Sequence, residues 1–92
     1  MIFDFDPNKS RTNREKHGIS LEEARELWSV LAVEIQARTQ DEPRFMIIGK
    51  IKGKLYSCIF AKRGEVARII SARRSHKKEE KIYYENVRQE KD

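Results

Sequence analysis

The sequence has a single cysteine, Cys58, in 92 residues, which excludes an internal disulfide and any metal site built from cysteines alone. Its two histidines, His17 and His76, are too few and too far apart for a zinc signature, and its carboxylates lack metal-loop spacing. No stretch approaches the roughly 18 apolar residues that a membrane span needs. The opening Met1-Ile2-Phe3-Asp4 lacks the basic start and apolar run of a secretory signal. A glycine-rich phosphate loop and a Ser-His-Asp arrangement are also missing. The length suits one domain over residues 1–92, because so short a chain cannot bury two cores. The expectation is a small, soluble, cytoplasmic domain without a cofactor.

What the chain has in excess is charge. Charged residues make up 38%, against about 25% in typical soluble domains. Twenty Lys and Arg against fifteen Asp and Glu leave a net charge of +5. Residues 62–81 hold eight basic side chains (Lys62, Arg63, Arg68, Arg73, Arg74, Lys77, Lys78, Lys81) and three acidic ones (Glu65, Glu79, Glu80). The whole excess therefore lies in that window. Such a window either aids solubility or binds a polyanion through counterion release. Its density and its spread over a strand and the following helix favour nucleic acid.

Hydropathy and capping signals predict an α+β fold: N-terminal helices, an antiparallel meander and a C-terminal helix. Residues 2–5 can form a short strand. Asp6-Pro7 and Gly18 bracket a helix over residues 7–17 that has almost no apolar side chain. Ser20 and Glu23 make a capping box for a second helix, with Leu21, Ala24, Leu27, Trp28 and Leu31 facing the core. Val33–Gln36 alternates as a strand, and Thr39–Pro43 reads as a polar loop. Phe45–Ile48 is an apolar run suited to a strand covered on both faces. Lys52-Gly53 and Arg63-Gly64 then turn the chain through strands at 55–60 and 66–72. Ser75 can cap a last helix over 75–88 whose Glu79, Tyr83 and Val87 share a face.

Three constellations can carry chemistry. On the first helix Lys9, Asn13, Lys16 and His17 fall within a face about 100° wide. His17 in the last turn is either a favourable helix-end charge or a proton donor, since an unperturbed imidazole titrates near 6.5. On the last strand, period two places Val66, Arg68, Ile70 and Ala72 on one face, and Ala67, Ile69, Ser71 and Arg73 on the other. Arg68 between apolar neighbours needs an anion, either a carboxylate (Glu34 or Glu65) or a phosphate. Arg73 and Arg74 emerge at the strand's end, where guanidinium forks can grip phosphate. Tyr83 and Tyr84 are either core or able to stack a base or pass a proton. Cys58, in an apolar strand, reads as a buried small residue.

Phe5-Asp6-Pro7-Asn8-Lys9, Asn13 and Lys16-His17-Gly18-Ile19-Ser20-Leu21-Glu22-Glu23-Ala24 resemble the opening of the BrnT family, the toxin halves of bacterial type II toxin–antitoxin pairs. The resemblance continues at Glu42-Pro43-Arg44, Ile48-Gly49 and Arg68-Ile69-Ile70-Ser71-Ala72-Arg73, with Glu79 and Tyr83 at the family's spacing. Phe5 stands where tryptophan is common and Leu21 where phenylalanine is. Ser10, Arg11 and Arg14 replace smaller or more apolar residues.

The resemblance implies a small RelE-like domain and a metal-independent endoribonuclease that arrests translation. It also implies a BrnA-like antitoxin with a ribbon-helix-helix part, joined to the toxin in a hetero-oligomer and bringing it to promoter DNA. The reaction expected on this basis is attack by the substrate's 2′-hydroxyl, with His17, Arg73, Arg68, Tyr83 and Lys16 as catalytic candidates. Glu79 is a further candidate for the acid–base pair. Lys9, Asn13, Arg74, Lys77 and Lys78 are the RNA-binding candidates. A non-catalytic nucleic-acid-binding module or a corepressor partner is the alternative.

Overall fold

Local capping chemistry sets the first helix where the sequence places it. The Asp6 carboxylate accepts the Asn8 amide at 2.8 Å, and Pro7 opens helix α1 (Pro7–His17). Gly18, at φ 75°, ends it by donating its N–H to the Arg14 carbonyl at 2.8 Å. This left-handed position is one that glycine takes without a steric penalty. The computed structural model describes residues 1–38 and 41–90, with side chains as far as Val87. Thr39 and Gln40 of the expected polar loop therefore lie outside the described residues.

The expected strand at the N-terminus forms as β1 (Ile2–Asp4), ahead of α1. It lies parallel to β5 (Val66–Arg74) at one edge of a five-stranded sheet ordered β1-β5-β4-β3-β2. The remaining strands, β2 (Ala32–Ala37), β3 (Arg44–Ile51), β4 (Lys54–Arg63) and β5, pair antiparallel in the predicted meander. The sheet is thus mixed, which corrects the purely antiparallel expectation. Two parallel neighbours need an intervening stretch of chain to connect them, and here α1 and β2 to β4 intervene.

The second helix also differs from expectation. The Ser20–Glu23 capping box is complete, with the Glu23 N–H on Ser20 Oγ and the Ser20 N–H on Glu23 Oε1, both at 2.9 Å. The helix it opens is a seven-residue 3-10 helix, Glu23–Ser29. Leu21, Ala24 and Leu27, all fully buried, repeat every three residues, which is the 3-10 period. Leu31, expected in the core, lies beyond the end of this helix and is 52% exposed.

Two cores flank the sheet. On one face the 3-10 helix packs Leu27 and Trp28 against Phe60, Ile47 and Phe3. The Trp28 ring meets Phe3 and Phe60 edge-on at 5.0 and 4.9 Å. Gly49 lies close beneath it: a Cβ there would stand 3.1 Å from Leu27 Cδ2 and 3.3 Å from the Leu31 carbonyl oxygen, so these neighbours would have to give slightly. On the other face α2 (Lys77–Glu90) lays Tyr83, Ile82 and Val87 over Ile48, Leu55 and Val33. The apolar run 45–48 accordingly serves both cores, with Ile47 in one and Ile48 in the other. Cys58 is fully buried as expected, and burial pushes its thiol pKa up to about 12. Among the described residues no helix is long and apolar enough to cross a membrane.

Candidate nucleic-acid interface

A helix with no apolar stripe has no ordinary means of docking, and α1 uses two short polar residues instead. Ser10 is buried, and its hydroxyl accepts the Leu21 and Glu22 amides at 3.0 and 3.3 Å. Asn13 is 8% exposed and serves as a substitute strand. Beyond Asp4 the outer edge of β5 has lost its partner β1. There Asn13 Nδ2 donates to the Ala72 carbonyl at 2.8 Å, and its Oδ1 accepts the Ala72 amide at 3.3 Å. Nδ2 also donates to the Ile19 carbonyl at 2.7 Å, holding the turn after the helix. Both ends of this side-chain amide are thus committed within the protein. These bonds give Asn13 the work of fixing α1 on the strand edge.

Because Asn13 and Ser10 face inward, the remaining donors of the helix line an open margin. Lys9, Thr12, Lys16 and His17 border a shallow hollow of about 280 Å³ whose far wall is Ile70 and Ser71 of β5. No carboxylate lines it, and no described ion pair involves Lys9, Lys16 or His17. All four residues expected on one helix face therefore border one hollow, although the Asn13 amide is turned to the strand edge.

The β5 wall carries a feature that period-two reasoning cannot show. The register pairs Phe60 with Ile69 but Ile59 with Ser71, leaving Ile70 as the extra residue of a β-bulge. A bulge shifts the alternation by one. Arg68, Ser71 and Arg73 consequently share one face of the strand, opposite Ala61, Ile59 and Ser57. The assignment of Arg68 and Arg73 to opposite faces is corrected by this single insertion. Arg73 stands two residues past Ser71, roughly 7 Å along the strand from the hollow's wall.

Arg73 is built into a network. Its Nη1 and Nη2 donate to Glu79 Oε1 and Oε2, both at 2.8 Å, and Nη1 also reaches the Arg74 carbonyl at 3.2 Å. Glu79 Oε1 also accepts the Ser57 hydroxyl at 2.8 Å and the His76 amide at 2.9 Å. Glu79, in the first turn of α2, thus ties down the amide of the residue before the helix, while Ser75, expected to cap it, shares a hydrogen bond with Ser57 at 2.8 Å. No described hydrogen bond uses Arg73 Nε or the second Nη2 proton, and these two donors form the lateral fork that fits a phosphate.

The same network sets the charge of Glu79. Burial alone raises its pKa, but hydrogen bonds from Arg73, His76 and Ser57 and the Arg73 charge bring it down from 4.5 to about 2. The pKa of Arg73 is raised by its hydrogen bond to Glu79. A depressed carboxylate stabilises the fold above its unfolded pKa and loses that contribution as it is protonated. Stability should therefore fall as the pH drops from about 4.5 to about 2, by at most about 3 kcal/mol from this group. Urea denaturation across that range checks this, and Glu79→Gln should flatten the dependence.

The other expected residues scatter. Arg68 pairs with Asp4 at 2.7 Å, across the β1–β5 register, so its anion is neither Glu34 nor Glu65. Glu34 instead holds Lys62 at 2.7 Å, and Arg63 binds Glu42 at 3.1 Å. Five cations of the basic window, Lys62, Arg63, Arg68, Arg73 and Lys81, have carboxylate partners. Tyr83 is 5% exposed in the second core, away from the hollow's walls. Arg74 faces the opposite side of β5 from Arg73, with its guanidinium 5.7 Å from the Tyr56 ring. Lys77 and Lys78 are exposed in the first turn of α2. Among the described residues no three His, Cys, Asp or Glu side chains stand together as metal ligands.

Sequence reasoning missed Ser10, Ser57 and the bulge at Ile70. A serine facing inward from an apolar strand was the visible signal for Ser57. For Ser10 the clue was its place one turn before Asn13 on a helix lacking any apolar side.

A cationic helix margin thus lies beside a bulged strand. The family whose model matches residues 5–79 is described as ribonuclease toxin, BrnT, of type II toxin–antitoxin system. The chain belongs to this family, and is thus a ribonuclease toxin whose counterpart is an antitoxin. The match takes in Lys9, Asn13, Lys16, His17, Arg68, Arg73 and Glu79, and stops short of Tyr83. No curated protein matches the chain.

Proposed function

We propose that the chain is a metal-independent endoribonuclease that cuts RNA by attack of the substrate's own 2′-oxygen on the adjacent phosphorus. The P–O5′ bond breaks as the new P–O2′ bond forms, leaving a 2′,3′-cyclic phosphate and a 5′-hydroxyl. The observation that carries this reading is the hollow where Lys9, Lys16 and His17 stand without a carboxylate, beside the strand that presents Arg73. The lateral fork of Arg73 grips the phosphate and offsets the charge that builds on it, with Lys16 and Lys9 in support. His17 gives its proton to the departing 5′-oxygen. Removal of the 2′-proton falls to a group other than Glu79, whose carboxylate is far too weak a base at about 2. Arg68, bound to Asp4, supports the strand edge beneath this site.

The partner in this reading is a BrnA-like ribbon-helix-helix antitoxin that forms a hetero-oligomer with the toxin in the cytoplasm and carries it to promoter DNA. A RelE-like arrangement of the sheet accords with the five strands and the α2 cover. Mass analysis of a cleaved oligonucleotide tests the chemistry. Cyclic-phosphate and 5′-hydroxyl ends, formed equally in EDTA, are expected; 3′-hydroxyl ends or loss of cleavage in EDTA would defeat it.

A further inference from the structure

The α1 terminus separates two hollows. His17 borders the first, and the next residue, Gly18, borders a larger one of about 580 Å³. Asn13 links them through its bond to the Ile19 carbonyl, since Ile19 lies in the wall of the second. Tyr56 and Lys54 of β4, Lys52 of the β3–β4 turn and Arg14 of α1 supply an aromatic ring and three cations to this wall. Arg14 is balanced by Glu23 at 3.1 Å, whereas no described ion pair involves Lys52 or Lys54.

Two features mark this hollow as built to bind. The Tyr56 ring is only half-buried and already carries the Arg74 guanidinium at 5.7 Å, so an aromatic surface and a cation are presented together. Lys52 holds φ 52° and Gly53 φ 79° in the turn. Asparagine or glycine would sit at the first of these positions with less strain. A strained lysine at the mouth of a hollow points to a use for its charge.

We infer that the second hollow is a subsite for a nucleotide flanking the scissile linkage, an inference that rests on the ribonuclease reading of the first hollow. A single strand whose cleaved phosphate lies by His17 passes over the Gly18 turn, and its next base stacks on Tyr56. Lys52 and Lys54 hold the phosphate on that side, because ring stacking plus backbone cations is the general means of gripping unpaired bases. Glu26, exposed in the same wall with no described ion pair, offers an acceptor for a base amino group.

The test uses the full chain and a fluorescent single-stranded octanucleotide of randomised sequence, 2′-O-methylated throughout so that it cannot be cut. Tyr56→Ala and Lys54→Glu should each weaken binding about tenfold, while Tyr56→Phe, which keeps the ring, should bind within about twofold of the parent. Lys52→Asn should raise the melting temperature and yet weaken binding, a combination that a merely structural turn residue would not give. Equal binding by parent, Tyr56→Ala and Lys54→Glu overturns the subsite, even where the parent cleaves RNA. Loss of antitoxin binding in these variants with unchanged oligonucleotide binding also overturns it and gives the hollow to the antitoxin. Tyr56-dependent binding by a chain that cuts no RNA supports the subsite while removing the ribonuclease reading.

Discussion

Asn13→Ala should lower the unfolding free energy by about 3–5 kcal/mol, read as a fall in denaturation midpoint at constant slope. The reason is local arithmetic. The substitution leaves the Ile19 carbonyl, the Ala72 carbonyl and the Ala72 amide without their partner. Each buried polar group deprived in this way costs about 1–3 kcal/mol. Water entering beside the exposed Lys9 and Lys16 recovers part of that sum. The loss is large against a total stability of about 5–15 kcal/mol for a small domain. Asn13→Asp should be nearly as damaging, because a carboxylate would face two carbonyl oxygens with no proton to give. A purely substrate-binding Asn13 would behave differently: cleavage would fall while the denaturation curve stayed in place.

That contrast shows how far the sequence could be read. The capping signals of Asp6, Pro7, Gly18, Ser20 and Glu23 are written in residues a few positions apart, and each one formed. The same holds for the glycine turns and the two-faced run at 45–48. What could not be read depends on distant pairing. The bulge at Ile70 exists because β4 and β5 meet in a particular register, and nothing within residues 66–74 marks it. Alternation therefore sent Arg68 and Arg73 to opposite faces, although the strand presents both on one. The leucine spacing of the second helix was compatible with both α and 3-10 geometry, and packing beside Gly49 accompanies the tighter form.

The candidate site was legible as a set of residues more than as a set of roles. A polar helix face brought Lys9, Asn13, Lys16 and His17 to one hollow, but the inward hydrogen bonds that set Asn13 apart were not legible in sequence. Its position at 8% exposure follows from the open edge of β5, a property of the sheet. The basic window misled in the same way. Its net charge is real, yet partners drawn from β1, β2, the chain before β3 and α2 neutralise much of it, and most of those partners lie far off in the chain. Lys9 and Lys16 of α1, outside that window, are among the cations without a described carboxylate partner.

His17→Ala should slow RNA cleavage by about 10²–10⁴-fold while leaving the denaturation curve and oligonucleotide binding nearly unchanged. His17 is exposed and enters no described hydrogen bond, so its removal disturbs no packing. Arg73→Ala should cost about 10²–10³-fold in rate, but it also strips Glu79 of a bidentate partner at 2.8 Å. The two effects must therefore be separated. Glu79→Gln keeps the arginine and loosens only the anchorage, so a smaller rate loss in that variant than in Arg73→Ala assigns the difference to the lateral fork. Arg73→Lys should behave like alanine in rate, since an ammonium has no fork with which to hold Glu79 and a phosphate together. Growth arrest in a bacterium expressing the chain alone gives the same comparison in a cell. Should the His17→Ala and Arg73→Ala chains arrest growth as fully as the parent, with both folded, the cationic margin would serve binding alone. The basic surface would then belong to a nucleic-acid-binding module or a corepressor partner, because the chemistry proposed for the hollow cannot proceed without a proton donor and a phosphate clamp.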